Sequence, residues 1–361
     1  MNILYVSNLT GDLWAGPNNS VPAQIKAQAK LDNVFWYNVN KNIIKEWGAL
    51  YHNLLEYPSE KLADLPHPFN KPDIAVIEQL YCYPFSKIVS DLQKNKIPYV
   101  VIPRSSLTER AQKHKHLKKI LGNLVYFKRM LKQAAGIQYL TSQEYLESGD
   151  KWNKNNFIIP NGISIKKEEI YSEGDNIIIS YIGRIDIYQK RLDLLMDAIG
   201  INQQIFRDKK CLFRIFGPNR DNSVEKLTRI IQQKGIGDLV ELHGAIFGNE
   251  KEDALRKSNL FIMTSAFEGH SMGLIESLSY GLPCIITPGT NMANEVREYN
   301  AGWTADEDAL SVSEKIKLAI QERESWDEKR KNARKLAEQY SWDSLAQKSH
   351  EEFKRIIKSV V

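Results

Sequence analysis

The feature that most constrains the fold of this chain is a repeated alternation of short apolar runs with longer stretches of helical periodicity. Alternation of this kind is typical of parallel β-sheets whose two faces are covered by helices. It runs through residues 1–160, stops at the polar segment NGISIKKEEIYSEGDN, and then restarts. A chain of 361 residues is also too long for one ordinary core. We therefore predict two α/β domains, residues 1–160 and 161–340, each a doubly wound parallel sheet.

The apolar runs give the predicted strands. They are NILYV, DIAVI, YVVI, GIQYL and FIIP in the first domain, and IIISYIG, CLFRIFG, LVELHG, LFIMTS and PCIIT in the second. The helical patterns of the first domain include Ser20–Leu31 and one long helix over Leu107–Gln133. Ligands of doubly wound sheets bind beyond the carboxyl ends of the strands, so the loops after these strands are the predicted places for function.

Charge divides the chain at the same place. Residues 1–160 carry 20 Lys and Arg against 13 Asp and Glu, a net charge of +7, whereas residues 161–361 carry 29 against 31. Such asymmetry indicates domains with different partners.

No apolar stretch is long enough to span a bilayer, and the first residues lack the basic region of a signal peptide. Cys82, Cys211 and Cys284 are scattered, as buried thiols would be. We expect a cytoplasmic protein.

Two cations follow the first strand of the second domain. Arg184 comes directly after the strand-end Gly183, and Lys190 lies six residues further on, where a helix is predicted to begin. Cations beside a helix N-terminus form a phosphate site, because free backbone N–H groups and the helix dipole add to their charge. Spacing alone does not decide between Lys190 and its neighbour Arg191, and basic residues in a polar loop are often simply solvated.

The segment EGHSMGLIE begins and ends with a glutamate, and it comes soon after the apolar run LFIMTS. Glu268 is predicted in the loop after that strand, and Glu276 in the first turns of the next helix. Carboxylates accept hydrogen bonds from sugar hydroxyls, and Gly269 and Gly273 let the backbone approach a ligand closely. The alternative is that Glu276 decorates or caps a helix and Glu268 is a solvated loop acid.

These two patterns together resemble the donor half of glycosyltransferase family four. The resemblance rests on the GR…K loop, on the later string SAFEGHSMGLIESLSYGLPCIIT, and on Gly281 and Pro283 within that string. It is strong in residues 177–300 and looser in 1–160. It implies the GT-B fold, in which two Rossmann-like domains face each other across a cleft. It also implies a C-terminal helix, residues 341–361, that crosses back onto the first domain.

The resemblance assigns roles to individual positions. Arg184 and Lys190 match the pair that neutralises the donor diphosphate, and Glu268 matches the acid that faces the donor sugar. These three are the predicted catalytic residues, and Glu276 matches the acid on the ribose. The segments FGPN and HGAIF match the surroundings of the nucleobase. The loop TGDLWAGPNN resembles a glycine-rich loop that closes over the phosphates. It has a proline where the family often has a second glycine. The predicted donor-binding residues are Gly16, Gly183, Arg184, Lys190, Gly217, Ala245, Glu268, Gly269, His270, Ser271, Met272, Gly273 and Glu276.

The first domain departs from the family pattern after YVVI. Many relatives carry a histidine there, near the reacting centre. This sequence reads PRSS instead and has Arg104 at about that position. Arg104 either contacts the acceptor or the transferred group, or anchors the turn of Ser105 and Ser106.

The string Asp306–Asp308 superficially matches a metal motif of other glycosyltransferases, but it precedes a helical pattern, where acids cap the N-terminus. We expect no metal and no other cofactor.

The stretch 110–132 is rich in Lys and Arg, contains no acid, and has apolar residues at helical spacing. We expect its apolar stripe to pack into the core and its cations to attract an anionic membrane or an anionic acceptor. Nucleic acid is disfavoured as a partner, because no aromatic residues interleave with these cations on an exposed strand surface.

The resemblance implies a retaining, metal-independent hexosyl- or N-acetylhexosaminyltransferase. It would move a sugar from a nucleotide-sugar, a UDP-sugar first of all, to a lipid-linked glycan in cell-surface polysaccharide biosynthesis, at the inner face of the membrane. One alternative is a GT-B sugar-nucleotide epimerase, which would need carboxylates and a histidine around the sugar. Another is a catalytically silent partner of a second transferase, which the intact Glu268 and Lys190 disfavour. A nicotinamide oxidoreductase fits worst, since no G-x-G-x-x-G follows the first strand.

Overall fold

The computed structural model describes residues 1–11, 16–81, 87–113, 116–166, 175–268 and 270–360. The chain forms two compact units, Met1–Gly162 with Trp342–Val361, and Ile163–Ser341. We call them unit 1 and unit 2. Each contains a parallel sheet with helices packed on it, so the predicted fold class, two doubly wound α/β domains, is confirmed.

The sheet of unit 1 contains seven described strands, each parallel to its neighbours. They are β1 (Asn2–Ser7), β2 (Asn33–Asn38), β3 (Tyr51–Asn53), β4 (Ile74–Glu78), β5 (Tyr99–Ile102), β6 (Gly136–Tyr139) and β7 (Asn156–Ile158). Their order is β3-β2-β1-β4-β5-β6-β7. Along β1, Leu4 and Val6 pack into one apolar layer, and Ile3 and Tyr5 into the other. Burial on both faces explains why such strands read as continuous apolar runs.

The sequence pattern predicts five of these strands and misses β2 and β3. Strand β2 ends in Asn38, a residue that is unfavourable in strands. The structure buries it because its Oδ1 accepts hydrogen bonds from the Ser7 hydroxyl and the Leu9 backbone N–H, each at 2.7 Å. Strand β3 is a three-residue edge strand, too short to give a period in the sequence.

The described helical segments of unit 1 that precede β7 lie between its strands. They are α1 (Gly16–Gln28), α2 (Lys87–Lys94), α3 (Glu109–Lys113), α4 (His116–Gly122), a π-helical turn (Asn123–Phe127), α5 (Lys128–Gln133) and α6 (Ser142–Ser148), with 3₁₀ turns at Lys45–Trp47 and Leu62–Asp64. Residues 114 and 115, between α3 and α4, lie outside the described residues.

The prediction of one helix over Leu107–Gln133 with a buried apolar stripe is wrong. The segment is divided into α3, α4, the π-helical turn and α5. Its last part is buried as predicted, at Phe127, Met130 and Leu131. The apolar residues before them are exposed instead: Leu117, Ile120, Leu121, Leu124 and Val125. Periodicity shows that a helix has an apolar face, but it does not show whether that face meets the protein.

The sheet of unit 2 contains six described strands, again all parallel to their neighbours. They are β8 (Ile177–Ile182), β9 (Cys211–Phe216), β10 (Val240–His243), β11 (Leu260–Met263), β12 (Cys284–Ile286) and β13 (Gly302–Thr304), in the order β10-β9-β8-β11-β12-β13. The sequence pattern misses only β13, a three-residue edge strand. Cys211 and Cys284 are buried, as predicted, while Cys82 lies outside the described residues.

The described helices of unit 2 cover its sheet around one apolar core. They are α7 (Ile187–Lys190), α8 (Leu192–Ile201), α9 (Gln203–Asp208), α10 (Ser223–Lys234), α11 (Gly248–Arg256), α12 (Met272–Ser279), α13 (Ala293–Glu298), α14 (Ala309–Gln321) and α15 (Trp326–Glu338), with 3₁₀ turns at Pro288–Thr290 and Arg323–Ser325.

The last helix, α16 (Trp342–Val360), belongs to unit 1 although it follows the whole of unit 2. It packs on α1, and its Phe353 and Ile356 enter the same apolar layer as Val21 and Ile25. No helix in the described part of the chain has the length and apolarity needed to cross a membrane.

Candidate functional site

The candidate site of unit 2 lies where the strand order of its sheet reverses. Strands β8 and β11 are neighbours, yet the chain leaves β8 toward β9 and β10 before it returns to β11. The carboxyl ends of such strands border the crevice in which doubly wound sheets bind ligands. Arg184 lies in the loop after β8, Lys190 is the last residue of the short helix α7 that follows, and Glu268 lies in the loop after β11. The sheet thus brings together loops that are far apart in the sequence.

Lys190 and Glu268 form a buried ion pair at this edge of the sheet. The Nζ of Lys190 donates to Oε1 of Glu268, and the two residues are only 7% and 6% exposed. The Ser265 hydroxyl donates to the same carboxylate oxygen at 2.5 Å. The Asn291 side-chain amide donates to the backbone carbonyl of Glu268 at 2.6 Å. Glu268 is therefore not a solvated loop acid but a fixed carboxylate.

Hydrogen bonds tie the loop of Lys190 to the loop of Glu268. The carboxylate of Asp186 caps α7 by accepting from the backbone N–H of Gln189 at 3.0 Å. The backbone N–H of Ala266 donates to the carbonyl of Gln189 at 2.9 Å. The Thr264 hydroxyl donates to the carbonyl of Lys190 at 3.1 Å. Supporting bonds of this kind hold a functional side chain in one geometry.

The structure separates the two neighbouring cations that spacing could not distinguish. Arg191 has a left-handed backbone, with φ 49°, and its guanidinium lies 3.5 Å from the carboxylate of Asp193. Lys190 is the one that pairs with Glu268. Arg184 is exposed and donates to Oε1 of Gln189 at 2.9 Å. One buried and one exposed cation thus follow the same strand.

Glu276 has a lysine partner that sequence reasoning missed. Its carboxylate, in α12, pairs with Nζ of Lys251 in α11, and the two side chains are 31% and 28% exposed. Each acid of the EGHSMGLIE segment therefore has its own lysine, since Glu268 pairs with Lys190. No spacing rule points to Lys251, because the contact joins two helices that are separated along the chain.

Between these acids, the described residues differ in what their side chains do. The hydroxyl of Ser271 is buried and donates to the carbonyl of Thr290 at 2.8 Å, so it braces the loop. Both ring nitrogens of His270 are buried without a hydrogen-bond partner among the described residues, and its ring lies 5.7 Å from that of Tyr340. Met272 is half-buried, and Gly269 lies outside the described residues. Buried polar groups without partners are rare, which makes His270 available to a ligand.

Burial lowers the pKa of His270 from 6.5 to about 4, so its imidazole is neutral near pH 7. Because the unfolded chain binds this proton more tightly, the folded state loses stability as the pH falls from about 6.5 toward 4. We expect His270 to account for about 2 kcal/mol of the stability lost between pH 7 and pH 5. Denaturant unfolding at both values should show this loss in the native protein and a smaller one in His270→Leu. An equal loss in both proteins would contradict the prediction.

Glycines at the site are required by close packing. A Cβ on Gly217 would lie 1.7 Å from the carbonyl oxygen of Gly183, and one on Gly273 would lie 2.5 Å from the carbonyl oxygen of Ile182. A larger residue at either position would push β8 away from β9 or from α12. These contacts bring the N-terminus of α12 close to the end of β8.

The predicted nucleobase region lies at the ends of the two neighbouring strands, β9 and β10. The rings of Phe216 and His243 stack there, with centroids 4.7 Å apart and an interplanar angle of 15°. Ala245 lies half-buried in the loop that follows β10. The exposed ring at this edge of unit 2 is that of His243, which stacks on buried Phe216 and lies 3.1 Å from the carboxylate of Glu241.

The two candidate residues of unit 1 are Gly16 and Arg104. Gly16 begins α1 and is exposed, while residues 12–15 of its loop lie outside the described residues. The Arg104 side chain is 6% exposed, and its Nε donates at 2.8 Å to the fully buried carboxylate of Glu78, the last residue of β4. Its other nitrogens donate to oxygen atoms of Ser20 at 3.2 Å, Asn161 at 3.0 Å and Gln24 at 3.1 Å. These contacts are those of an anchor for the turn after β5.

The acidic string before α14 is used as a helix cap. The Asp308 carboxylate accepts from the backbone N–H of Ser311 at 2.8 Å, and the Ser311 hydroxyl accepts from the N–H of Asp306 at 2.9 Å. Across the described ranges, no three or more His, Cys, Asp or Glu side chains gather closely enough to hold a metal ion.

Comparison with known proteins gives a family model and relatives that match part of the chain. Residues 163–339, nearly the whole of unit 2, match the family model described as glycosyl transferases group 1. The chain is 25% identical over 201 residues to a glycogen synthase of Halorhodospira halophila. That alignment covers 52% of this chain and 40% of the relative, so the chain spans less than half of the relative's length.

Solved structures share the fold over nearly the whole chain. Anabaena Alr3699/HepE, determined in complex with UDP, has a TM-score of 0.70 at 14% identity, with 98% of this chain and 100% of that chain covered. WaaG, a glycosyltransferase involved in lipopolysaccharide biosynthesis, has a TM-score of 0.61 at 14% identity, with 97% and 99% covered. At such identities the likeness concerns the fold.

Proposed function

Since this chain belongs to the glycosyltransferases of the GT-B fold, with a group 1 glycosyl transferase domain over residues 163–339, we propose that it moves a sugar from a UDP-sugar to a lipid-linked glycan. The reaction is a retaining, metal-independent hexosyl or N-acetylhexosaminyl transfer in cell-surface polysaccharide biosynthesis, on the cytoplasmic side of the membrane. The UDP bound in the Anabaena structure and the lipopolysaccharide role of WaaG support the donor and the pathway class.

The buried pair of Lys190 and Glu268 carries this proposal. It lies at the carboxyl ends of β8 and β11, the two strands between which the strand order reverses. A diphosphate bound there has Arg184 and Lys190 as its cations, and Glu268 then faces the hydroxyl groups of the donor sugar. Its second hydrogen bond, from Ser265, keeps the carboxylate in place when Lys190 turns toward phosphate.

The chemistry requires positive charge where the leaving group becomes negative. As the bond between the anomeric carbon and the diphosphate oxygen breaks, Arg184 and Lys190 stabilise the departing nucleoside diphosphate. The acceptor oxygen bonds to the same face of the anomeric carbon, and its proton passes to the departing phosphate oxygen. Anomeric configuration is then retained without a protein nucleophile.

Glu276 is proposed to accept hydrogen bonds from the ribose hydroxyls, with Lys251 holding its carboxylate in position. The neutral imidazole of His270 is suited to a sugar hydroxyl rather than to phosphate, because it can donate one hydrogen bond and accept another. Ala245 and the stacked rings of Phe216 and His243 would lie beside the nucleobase.

Thermal unfolding with UDP, GDP, ADP and CDP tests the donor site. A diphosphate at about 100 times its dissociation constant should stabilise the protein by about 2.7 kcal/mol, and we expect UDP to do so. Glu276→Ala should lose most of that gain. Glu314→Ala, which removes a partly exposed carboxylate paired with Lys317 in α14, is the matched control and should keep it. Stabilisation by none of the four diphosphates would reject the assigned site and favour a catalytically silent protein.

A further inference from the structure

A cavity of about 600 Å³ opens on the surface of unit 2, and its volume is typical of sites that bind small ligands. Its walls come from α7, from the first turns of α8 and α10, and from the loop after β11. None of the described donor-binding candidates lines it. We call it the lateral cavity, and the transfer chemistry proposed above gives it no role.

Two exposed aromatic rings line the lateral cavity. Tyr188 of α7 is 74% exposed, and Phe267 of the loop after β11 is 36% exposed. Their ring centroids lie 5.9 Å apart at an interplanar angle of 70°. The side-chain amide of Gln189 donates to the backbone carbonyl of Phe267 at 3.2 Å, which ties the helix of one ring to the loop of the other. Because the two rings are already held together, a ligand that packs against them loses little affinity to ordering them.

The charged part of the cavity lining contains slightly more acid than base. It consists of the carboxylates of Asp186, Asp193 and Asp221 and the cations of Arg191 and Lys226. The Arg191 guanidinium lies 3.5 Å from the Asp193 carboxylate, which is longer than a good hydrogen bond. Oδ1 of Asp193 is buried and has no hydrogen-bond partner among the described residues. This lining therefore keeps hydrogen-bonding capacity that a ligand can use.

The combination of aromatic rings and mixed charges selects the chemical class of the ligand. Phosphate or a nucleotide would meet three carboxylates against two cations, so its charge would not be compensated. A purely apolar ligand would remove the charged groups from water without replacing their hydrogen bonds. A neutral saccharide satisfies both parts of the lining. The C–H groups on one face of a sugar ring pack against an aromatic ring, while its hydroxyls donate to carboxylates and accept from cations.

We propose that the lateral cavity binds a neutral saccharide unit of the glycan on which this transferase acts, a unit other than the one that reacts. Tyr188 and Phe267 pack against the sugar ring, and the charged lining hydrogen-bonds to its hydroxyl groups. The assignment of this saccharide to the acceptor glycan rests on the proposed function. Tyr188 lies two residues before Lys190, and Phe267 directly precedes Glu268, so the cavity adjoins the candidate transfer site. Acceptor specificity then extends beyond the reacting sugar.

Arrays of immobilised oligosaccharides test the proposal, with the full chain labelled and excess UDP present. The arrays carry neutral oligomers of glucose, galactose, mannose, rhamnose and N-acetylhexosamines, beside phosphate-bearing and uronate-bearing counterparts. The native protein should bind neutral glycans of at least one of these sugars. The variant Y188A/F267A should bind them at least about tenfold more weakly, because both rings that cover the sugar are removed. The variant Y188F/F267Y keeps both rings and should bind like the native protein.

The matched control is I201A/L310A, which removes two aliphatic side chains of unit 2 that are 47% and 61% exposed and lie outside the lateral cavity. It should bind glycans like the native protein. Y188A/F267A should keep its melting temperature and its stabilisation by UDP, since substitutions of exposed side chains cost little stability. The proposal is overturned if the native protein binds no neutral glycan, if Y188A/F267A binds equally well, or if binding is confined to charged glycans.

The donor-site proposal and the proposal for the lateral cavity fail separately. If UDP stabilises the protein but no neutral glycan binds, the lateral cavity loses its assignment and the donor site keeps its own. If a neutral glycan binds through Tyr188 and Phe267 while no nucleoside diphosphate stabilises the protein, the donor site fails and the lateral cavity remains a saccharide site.

Discussion

Lys190→Ala is expected to lower kcat/KM for sugar transfer about 10²–10³-fold, because it removes a cation from the developing charge of the leaving group. It should also destabilise unit 2, since Glu268 would remain as a buried carboxylate with Ser265 and without its counter-ion. Removal of one partner of a buried pair typically costs about 3–5 kcal/mol. Steady-state kinetics with a UDP-sugar and denaturant unfolding measure the two effects.

The double variant Lys190→Met/Glu268→Gln separates these two effects. It removes both charges while keeping similar side-chain volume, so most of the lost stability should return, whereas transfer should stay at or below the level of Lys190→Ala, because Glu268 also faces the donor sugar. Recovery of activity together with stability would show that Lys190 acts only in the fold. In that case the charge of the leaving group would have to be stabilised elsewhere, and the donor-site assignment would fail.

Arg104→Met should destabilise unit 1 by about 3–5 kcal/mol, because the Glu78 carboxylate, which is fully buried, would lose its counter-ion. The substitution also removes the hydrogen bonds that the guanidinium donates to Ser20, Gln24 and Asn161. Transfer activity should fall in proportion to the unfolded fraction, which thermal melting measures. These results are what an anchoring role for Arg104 requires.

The variant Arg104→Met/Glu78→Leu distinguishes the anchor from an acceptor contact. An apolar pair of similar volume can replace a buried ion pair at little cost, so stability and activity should both recover. If the melting temperature recovers but kcat/KM for transfer remains low, Arg104 touches the acceptor or the transferred sugar. The sequence left both roles open. The buried contacts of Arg104 favour the anchoring role over the acceptor contact.

The elements that were predictable from sequence are those whose signal is local. Strands β8 and β11 are buried on both faces and read as apolar runs, and their order in a doubly wound sheet places the GR…K loop beside Glu268. Physical rules could therefore place Arg184, the neighbours Lys190 and Arg191, and Glu268 at one edge of the sheet, whereas their roles came from the family resemblance. The choice between Lys190 and Arg191 was not available, because it depends on a single left-handed residue in the loop.

What the sequence could not supply depends on contacts between distant residues. Lys251 pairs with Glu276 across two helices, and no residue near Lys251 in the sequence indicates that partner. The stripe of Leu117, Leu121, Leu124 and Val125 was predicted to be buried, because apolar periodicity identifies a stripe without its direction. That direction is set on the other side of the segment, where Asn123 is hydrogen-bonded to Tyr81 and Gln112 and where Phe127 is buried.

Helix α16 links the last residues of the chain to unit 1. His350 lies 2.9 Å from the buried carboxylate of Asp32, a contact between residues 318 positions apart, and Phe353 fills the layer beneath α1. During synthesis, unit 2 is continuous in the chain and has all of its strands as soon as Ser341 has emerged. Unit 1 begins first but lacks one of its covering helices until α16 has emerged. Because closing so long a loop is slow, the unit that is made first is the one that matures last.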